Sequence, residues 1–337
     1  MKILVSLQNN KLREMFFDRE NREHLEAAGE VEWNPEAEAW LGEEWKRKLA
    51  SCDICITGWH TERITGDLLK GSSLRCIAHM GGSVANTVSE DVFDLPLTVI
   101  NANDAFGETV AEQTLMLLLM ALRDSYHFTA AMKRDRLPWI PAETCRRELF
   151  GKTVGILGYG TISRELIKLL APFRAKVLVY SSHCPAETAE REGFTLCGLD
   201  ELVASSDAVI PLSTLTSRSY HTIDAERLRM MKDDAVIVNT GRGALIDEAA
   251  LIEELKKGRL FAALDVYEKE PLPTDSPLRD LPNTIILPHM GGKTIECRKK
   301  MAAILIRDIT RIARGEEPEH TVSRDDYKRM SQKIQKK

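Results

Sequence analysis

The sequence predicts an α/β protein of two domains, each built on a parallel sheet covered by helices. Three observations carry this. Short apolar runs alternate with polar helical stretches along the chain. One such run leads without a break into a glycine turn and a helix. The 337 residues, 43% hydrophobic and 29% charged, suit two ordinary cores and not a disordered or fibrous chain.

In the first hundred residues the strand signals are Ile3 to Val5, Ile54 to Ile56, Leu74 to Ala78 and Thr98 to Ile100. Polar helical stretches separate them, which is the rhythm of a parallel α/β domain. A helix turning from amphipathic to apolar is expected from about Glu108 to Arg123. An irregular stretch containing Pro138-Trp139-Ile140-Pro141 follows it and reads as a domain crossover. Strand signals return at Thr153 to Leu157, Lys176 to Tyr180, Ala208 to Ile210, Ala235 to Asn239, Phe261 to Asp265 and Thr284 to Leu287, the pattern of a doubly wound sheet. A last helix is expected over Thr294 to Arg314, and the charged tail from Ser323 is read as solvated and without function. The expected division is residues 1–103 with 293–337 as a substrate domain and 104–292 as a dinucleotide-binding domain.

A net charge of -5 repels a phosphate backbone, so no nucleic-acid partner is expected. The longest unbroken apolar run, Leu115 to Leu122, is too short to span a bilayer, so no membrane partner is expected and the protein is read as cytoplasmic. Seven cysteines, an odd number scattered along a large chain, suit a reducing compartment. Cys52-Asp53-Ile54-Cys55 has the spacing of a metal or redox pair. It lies in a strand-like run whose residues three apart would face opposite sides, so no metal site is expected.

The segment Thr153-Val154-Gly155-Ile156-Leu157-Gly158-Tyr159-Gly160-Thr161-Ile162-Ser163 passes from strand to turn to a helix read over Arg164 to Leu170. Gly158 permits the tight turn. Gly160 lets a pyrophosphate approach backbone N–H groups at the helix end, and Ser163 replaces the third glycine of the fingerprint. This points to a Rossmann-type domain holding NAD or NADP. The acid that usually follows about twenty residues later to hold the ribose is missing, because Ser181-Ser182-His183 stands at that place and no Asp or Glu occurs between Leu166 and Ala186. The hydroxyls and imidazole leave the choice between the two cofactors open.

Ligands of a doubly wound sheet lie outside the carboxyl ends of its strands. Three of those ends continue as Thr240-Gly241-Arg242-Gly243, as Val266-Tyr267-Glu268-Lys269-Glu270-Pro271 and as Pro288-His289-Met290-Gly291-Gly292. Singly, an arginine, a glutamate or a histidine has an ordinary structural role. Together at one edge they suit redox chemistry on a 2-oxo or 2-hydroxy acid: His289 to exchange a proton, Glu270 to stabilise its charged form, and Arg242 to grip a carboxylate.

These stretches, with Val154 to Ser163 and Val238 to Glu248, resemble the D-isomer-specific 2-hydroxyacid dehydrogenases over nearly the whole chain, most weakly in the first seventy residues. The resemblance implies a flavodoxin-like substrate domain beside the Rossmann-type one. It implies catalytic roles for Arg242, Glu270 and His289. Asp265, helped by Thr240, would hold the nicotinamide carboxamide, and Gly241, Gly291 and Gly292 would flank the cofactor. Tyr159, Thr161, Ile162 and Thr214 complete the expected cofactor contacts, although Thr214 stands where the family has proline and so departs from its pattern. Backbone amides of Gly81, Gly82 and Ser83 would bind the substrate carboxylate. Val110-Ala111-Glu112 would run past the cofactor into a homodimer contact.

In Gly58-Trp59-His60-Thr61, tryptophan and threonine stand where relatives that act on phosphorylated acids offer arginine, so a phosphorylated substrate is disfavoured. Trp59 is read as walling an apolar pocket. No appended regulatory domain is expected. The rival reading is a dinucleotide-sensing binding protein on the same fold, similar to the corepressors that resemble this family and that also keep the three catalytic residues.

Overall fold

Ile3, Leu4 and Val5 are fully buried and open the first strand, β1 (Lys2–Val5). Helices α1 (Lys11–Phe16) and α2 (Arg19–Ala28) follow, capped by the Asn10 and Asp18 side chains. Next come β2 (Glu30–Trp33), α3 (Gly42–Ala50), β3 (Ile54–Thr57), β4 (Cys76–His79) and β5 (Thr98–Asn101). The strands pair in parallel in the order β2-β1-β3-β4-β5. This is the flavodoxin-like order. Alternate residues serve opposite faces: Ile3, Val5, Ile54 and Ile56 join one core cluster, whereas Leu4, Cys55 and Ile77 join another with Trp45 and Leu49 of α3.

The chain then enters α4 (Phe106–Arg123) and α5 (Ser125–Arg134). The structure, a computed structural model, describes residues 1–136, 139 and 145–330. Pro138, Ile140 and Pro141 of the expected crossover lie outside the described residues. Five strand-and-helix units follow: β6 (Thr153–Leu157), α6 (Thr161–Leu170), β7 (Lys176–Tyr180), α7 (Ala186–Glu192), β8 (Thr195–Leu196), α8 (Leu199–Ser205), β9 (Ala208–Pro211), α9 (Ala225–Met230), β10 (Val236–Asn239) and α10 (Glu248–Lys256). The last two strands, β11 (Phe261–Leu264) and β12 (Thr284–Ile286), have no α-helix between them. All seven strands pair in parallel in the order β12-β11-β10-β9-β6-β7-β8. Strand order reverses between β6 and β9, so their carboxyl ends open a crevice there.

After Gly292 the chain returns to the first unit through α11 (Ile295–Ala313), capped by Thr294. Met301, Ala302, Leu305 and Ile309 of this helix pack in one cluster with Ile3, Val5, Ile54 and Ile56. The two compact units are Met1–Phe106 with Lys293–Lys337, and Gly107–Gly292.

Four local expectations are corrected. α6 begins at Thr161, three residues earlier than expected, because Gly160 is already its N-cap. Cys52 and Cys55 do not face opposite sides; Cys52 precedes β3, and both thiols enter the same core cluster. Burial pushes the Cys52 thiol up to about 12 and raises that of Cys55 as well, which keeps both protonated. The apolar run 115–122 understates its helix. Asn103–Arg123 spans 21 residues with a mean hydropathy of 1.3 in its best window, long and apolar enough to cross a membrane by length and composition. Half of that window is buried, and Leu117, Leu118 and Leu122 belong to the core of the second unit.

The fourth correction concerns the tail, which is folded as α12 (Arg324–Arg329). Ser323 and Asp326 form a reciprocal capping box at its start. Tyr327, 4% exposed, packs against Phe93 at a ring separation of 5.2 Å and donates its hydroxyl to the Val88 carbonyl. The charged residues around it conceal one apolar anchor. Tyr327→Ala is therefore expected to lower the unfolding free energy by about 3 kcal/mol, measured by urea denaturation; a change below about 0.5 kcal/mol is what a solvated tail would give.

Candidate active site

The turn after β6 has the geometry a dinucleotide phosphate needs. Gly158 adopts φ +96°, a left-handed conformation open to glycine, and a Cβ there would lie 2.9 Å from the Ser213 backbone after β9. Its N–H donates to the Tyr180 carbonyl at 2.8 Å, which ties the turn to the end of β7. Gly160 is exposed, no side chain caps the helix that starts there, and nothing lies within 4 Å of the place its Cβ would occupy. An uncapped helix end beside open space fits a pyrophosphate. Buried Ser163 donates its hydroxyl to the Gly158 carbonyl at 2.9 Å and fixes the turn against α6.

Other expected cofactor residues take definite places. The Tyr159 hydroxyl donates to Glu192, and its ring packs on Phe194 at 5.3 Å. Burial and that carboxylate push the phenol up to about 12. Thr161 and Ile162 form the first turn of α6. Ser181, Ser182 and His183 follow β7; the last two are exposed, and the His183 N–H donates to the Ser181 hydroxyl at 3.3 Å. Thr214 is exposed, and its carbonyl accepts from the Ser219 hydroxyl at 2.7 Å.

At the end of β10, Asn239 staples the loop that carries the arginine. Its side chain accepts from the Gly241 N–H at 3.1 Å and donates to the Arg242 carbonyl at 3.0 Å. Buried Thr240 shares a 2.7 Å hydrogen bond with Thr114 of α4. Arg242 donates to the Gly241 carbonyl at 2.8 Å. Desolvation lowers the pKa of its guanidinium, and the charge of Glu270 opposes that shift.

The loop after β11 lies directly on this one. A Cβ at Gly243 would fall 1.9 Å from the Tyr267 carbonyl carbon, so only glycine lets the two backbones meet. Glu268 accepts from His221 Nε2 at 2.7 Å and from the Glu248 N–H at 3.0 Å. The Tyr267 hydroxyl donates to the carbonyls of Leu264 and Leu287, at 3.2 and 2.8 Å. That bridge joins the ends of β11 and β12.

His289 itself has φ +51°, an uncommon conformation for a side-chain-bearing residue. Buried Asp265 holds it there by accepting from the Met290 N–H, at 2.8 and 3.1 Å to its two oxygens, and from the Gly291 N–H at 2.8 Å. His289 Nδ1 donates to Glu270 Oε2 at 2.6 Å, and Glu270 Oε1 accepts from the Tyr267 N–H at 3.2 Å. Nε2 is thereby left as the nitrogen for proton exchange. Burial acts to raise the Glu270 pKa. The hydrogen bond and charge of His289, the Tyr267 N–H and the charge of Arg242 outweigh it and hold the carboxyl below its ordinary range.

The structure thus brings Arg242, Glu270 and His289 together on three interlocked loops, with Asp265 and Gly291 beneath. Sequence reasoning missed the brace formed by Asn239, Glu268, Glu248 and His221. Asn239 and Glu268 stood inside the quoted motifs, so position beside a strand end was an available signal; His221 gave none.

The expected substrate residues belong to the first unit and are described within it. Gly81 is buried in a turn in which its N–H donates to the His79 carbonyl at 2.8 Å. A Cβ there would meet His79 Nε2 at 2.5 Å and Trp59 Nε1 at 3.3 Å. The Gly82 carbonyl accepts from Asn101 Nδ2, and the Ser83 hydroxyl accepts from the Ala85 N–H at 3.4 Å. His79, a residue the sequence reading passed over, is buried and shares hydrogen bonds with Thr57 and Thr87, at 3.1 and 3.4 Å through Nδ1. Desolvation takes its pKa down to about 4, so the ring is neutral. Trp59 is 50% exposed, with its ring 5.9 Å from Phe16.

A doubly wound sheet with an open phosphate turn and an acid–base pair at its carboxyl edge defines a nicotinamide-dinucleotide oxidoreductase. Residues 115–291 match the D-isomer specific 2-hydroxyacid dehydrogenase, NAD binding domain, and the chain belongs to the D-isomer specific 2-hydroxyacid dehydrogenase family. It is 37% identical over 302 residues to a D-3-phosphoglycerate dehydrogenase of Methanocaldococcus jannaschii, covering 89% of this chain and 56% of that relative's length. It is 32% identical over 309 residues to a glyoxylate reductase of Pyrococcus furiosus, covering 89% of this chain and 91% of the relative. Among solved structures, a glyoxylate reductase from Paecilomyes thermophila superposes with a TM-score of 0.79 at 26% identity, covering 96% of this chain and 98% of the other.

Because the Glu270 pKa is depressed, the stability it contributes is present above its unfolded pKa and is lost as pH falls through the folded value. Removing the partner leaves burial to dominate. In His289→Ala the Glu270 carboxyl, followed by ¹³C NMR titration, is expected to titrate at higher pH than in the wild type; an unmoved midpoint would show that His289 does not hold it.

Proposed function

We propose that this chain reduces small 2-oxo acids to D-2-hydroxy acids, and catalyses the reverse oxidation, with His289 as acid and base, Glu270 as its partner and Arg242 as the clamp on the substrate carboxylate. The observation that carries this reading is the 2.6 Å bond from His289 Nδ1 to Glu270, on loops interlocked with the one that bears Arg242. A nicotinamide dinucleotide held at the Gly158–Gly160 turn would supply the hydride for the carbonyl carbon. His289 Nε2 donates its proton to the carbonyl oxygen as that oxygen gains negative charge, and Glu270 stabilises the imidazolium beforehand. Arg242 engages the carboxylate in two parallel hydrogen bonds and polarises the adjacent carbonyl. Gly82 and Ser83 of the first unit offer backbone amides to a substrate carboxylate in this reading, and Gly81, whose own N–H is committed to the His79 carbonyl, shapes the turn that presents them.

We place the adenosine ribose at Ser181, Ser182 and His183. The exposed edge at Ser182 and His183 presents no acidic residue of its own to repel a 2′-phosphate, so both NADH and NADPH are accepted. We further propose a cytoplasmic homodimer that requires neither membrane nor nucleic acid. Its contact surface is the outer side of α4 and α5, where Met116, Tyr126 and Met132 are exposed.

Purified protein mixed with NADH or NADPH and a panel of 2-oxo acids is expected to consume the reduced cofactor, followed by absorbance. Tight cofactor binding with no turnover of any acid would favour a dinucleotide-sensing protein instead. His289→Ala is expected to lower kcat by about a thousandfold with unchanged cofactor affinity, and Arg242→Ala to raise KM as well as slow turnover. Isothermal titration should give dissociation constants for NADH and NADPH within about tenfold of each other, and Ser182→Asp should weaken NADPH selectively.

A further inference from the structure

We propose that Arg298, together with Trp59, forms a subsite for a second anionic group, a carboxylate or a phosphate, on the tail of the substrate. The inference rests on the hydride-transfer reading above and names the class of acid that the first unit selects.

Arg298 lies in the second turn of α11. Its guanidinium carbon is 5.4 Å from the Phe16 ring centre and 6.0 Å from that of Trp59. Contact with aromatic faces attracts the cation but leaves its edge N–H groups unsatisfied. Nε and Nη1 are both shielded from solvent and have no hydrogen-bond partner among the described residues. Among the described residues, no carboxylate lies within 4.0 Å of this side chain. Desolvation lowers its pKa, yet an arginine starts so high that it stays charged at neutral pH.

A second arginine of the same unit shows how such a group looks when its role is structural. Arg13 also lies over a tryptophan, 5.6 Å from the Trp33 ring centre. Its two terminal nitrogens donate to the Leu7 and Asn34 carbonyls and to the Asn9 side chain, so that Nε alone is left without a partner among the described residues. Arg298 has no such set of acceptors. Nε and the adjacent Nη2 form one planar edge with no partner among the described residues, and in a partly desolvated aromatic setting that edge is suited to a carboxylate or phosphate, which would accept from both of these nitrogens at once.

Trp59 connects this cation to the substrate loop. Its Nε1 is 3.3 Å from the position of a Cβ on Gly81, while its ring borders Arg298. An acid whose 2-oxo carboxylate is held by the Gly81 turn therefore extends its tail along the tryptophan toward the guanidinium. Trp59 is half exposed, and among the rings of the described residues it packs on Phe16 alone. It is the side chain that turns to admit the tail. The loop after β3 lacks the arginine that would have announced a charged tail, and α11 supplies one from nearly 240 residues further along the chain.

The test compares kcat/KM for pyruvate, 2-oxoglutarate and 3-phosphohydroxypyruvate in the wild type, Arg298→Met and Arg298→Lys. The wild type is expected to prefer at least one tail-bearing acid over pyruvate by about tenfold or more, and which of the two it prefers separates carboxylate from phosphate. Arg298→Met should reduce that preference ratio at least about tenfold through KM, and Arg298→Lys should retain part of it. A wild type that uses pyruvate as well as both longer acids overturns the subsite, as does a methionine variant that keeps the preference. If Arg298→Met does not fold, the wild-type ratio and the lysine variant decide. No turnover of any of the three acids overturns the hydride-transfer reading, and the subsite with it.

Discussion

The candidate active site depends first on one buried carboxylate. Asp265, at the end of β11, accepts the N–H groups of Met290 and Gly291 and so fixes the residue just before them, His289, in a left-handed conformation. Such a conformation costs about 1–3 kcal/mol at a side-chain-bearing residue. Hydrogen bonds to a charged acceptor contribute about 1.5–3 kcal/mol each, enough to offset it. The bent backbone directs Nδ1 to Glu270 and commits the other ring nitrogen to chemistry. Without Asp265 the histidine would relax into an extended loop, and the pairing with Glu270 would lose its geometric basis.

The same economy governs the neighbouring loops. Parallel pairing of β10, β11 and β12 brings three carboxyl ends to one edge, but strand ends alone leave their loops free to diverge. Asn239 closes the Arg242 loop on itself, Gly243 lets it touch the Tyr267 backbone, and Glu268 binds the second loop to His221 and to the start of α10. These are short bonds between rigid elements, which is how a scaffold keeps a histidine and a carboxylate in register.

Much of this was legible in the sequence. Ile3 to Val5, Thr153 to Leu157 and Lys176 to Tyr180 are strands because apolar residues in short runs, bounded by turns, fit a sheet covered on both faces. Gly158, Arg242, Glu270 and His289 stood at strand ends, where a doubly wound sheet places ligands. Three kinds of feature were hidden. β2, the edge strand Glu30–Trp33, alternates exposed acids with half-buried apolar residues and shows no run at all. α12 is anchored by the single buried Tyr327 inside a charged segment whose composition speaks for solvent. His79 and Arg298 are polar residues whose significance lies in what surrounds them; spacing along the chain carries no record of an unpartnered nitrogen or a neighbouring ring.

The route of the chain has a consequence for its synthesis. The first unit draws its core from segments on both sides of the second: Ile3, Val5 and Ile54 pack with Met301, Ala302 and Leu305 of α11. Residues 107–292 form the other unit in between. On the ribosome the five-stranded sheet emerges early, yet one of its faces is covered only in part, by Phe16, Phe17 and Leu25, until α11 leaves the exit tunnel. The inserted unit has its own cores, the clusters around Val154 and around Leu157, and is complete before that moment. Of the two units, the one begun earlier is therefore the later to close, and the apolar face of its sheet is the surface for which a chaperone would have most work during translation.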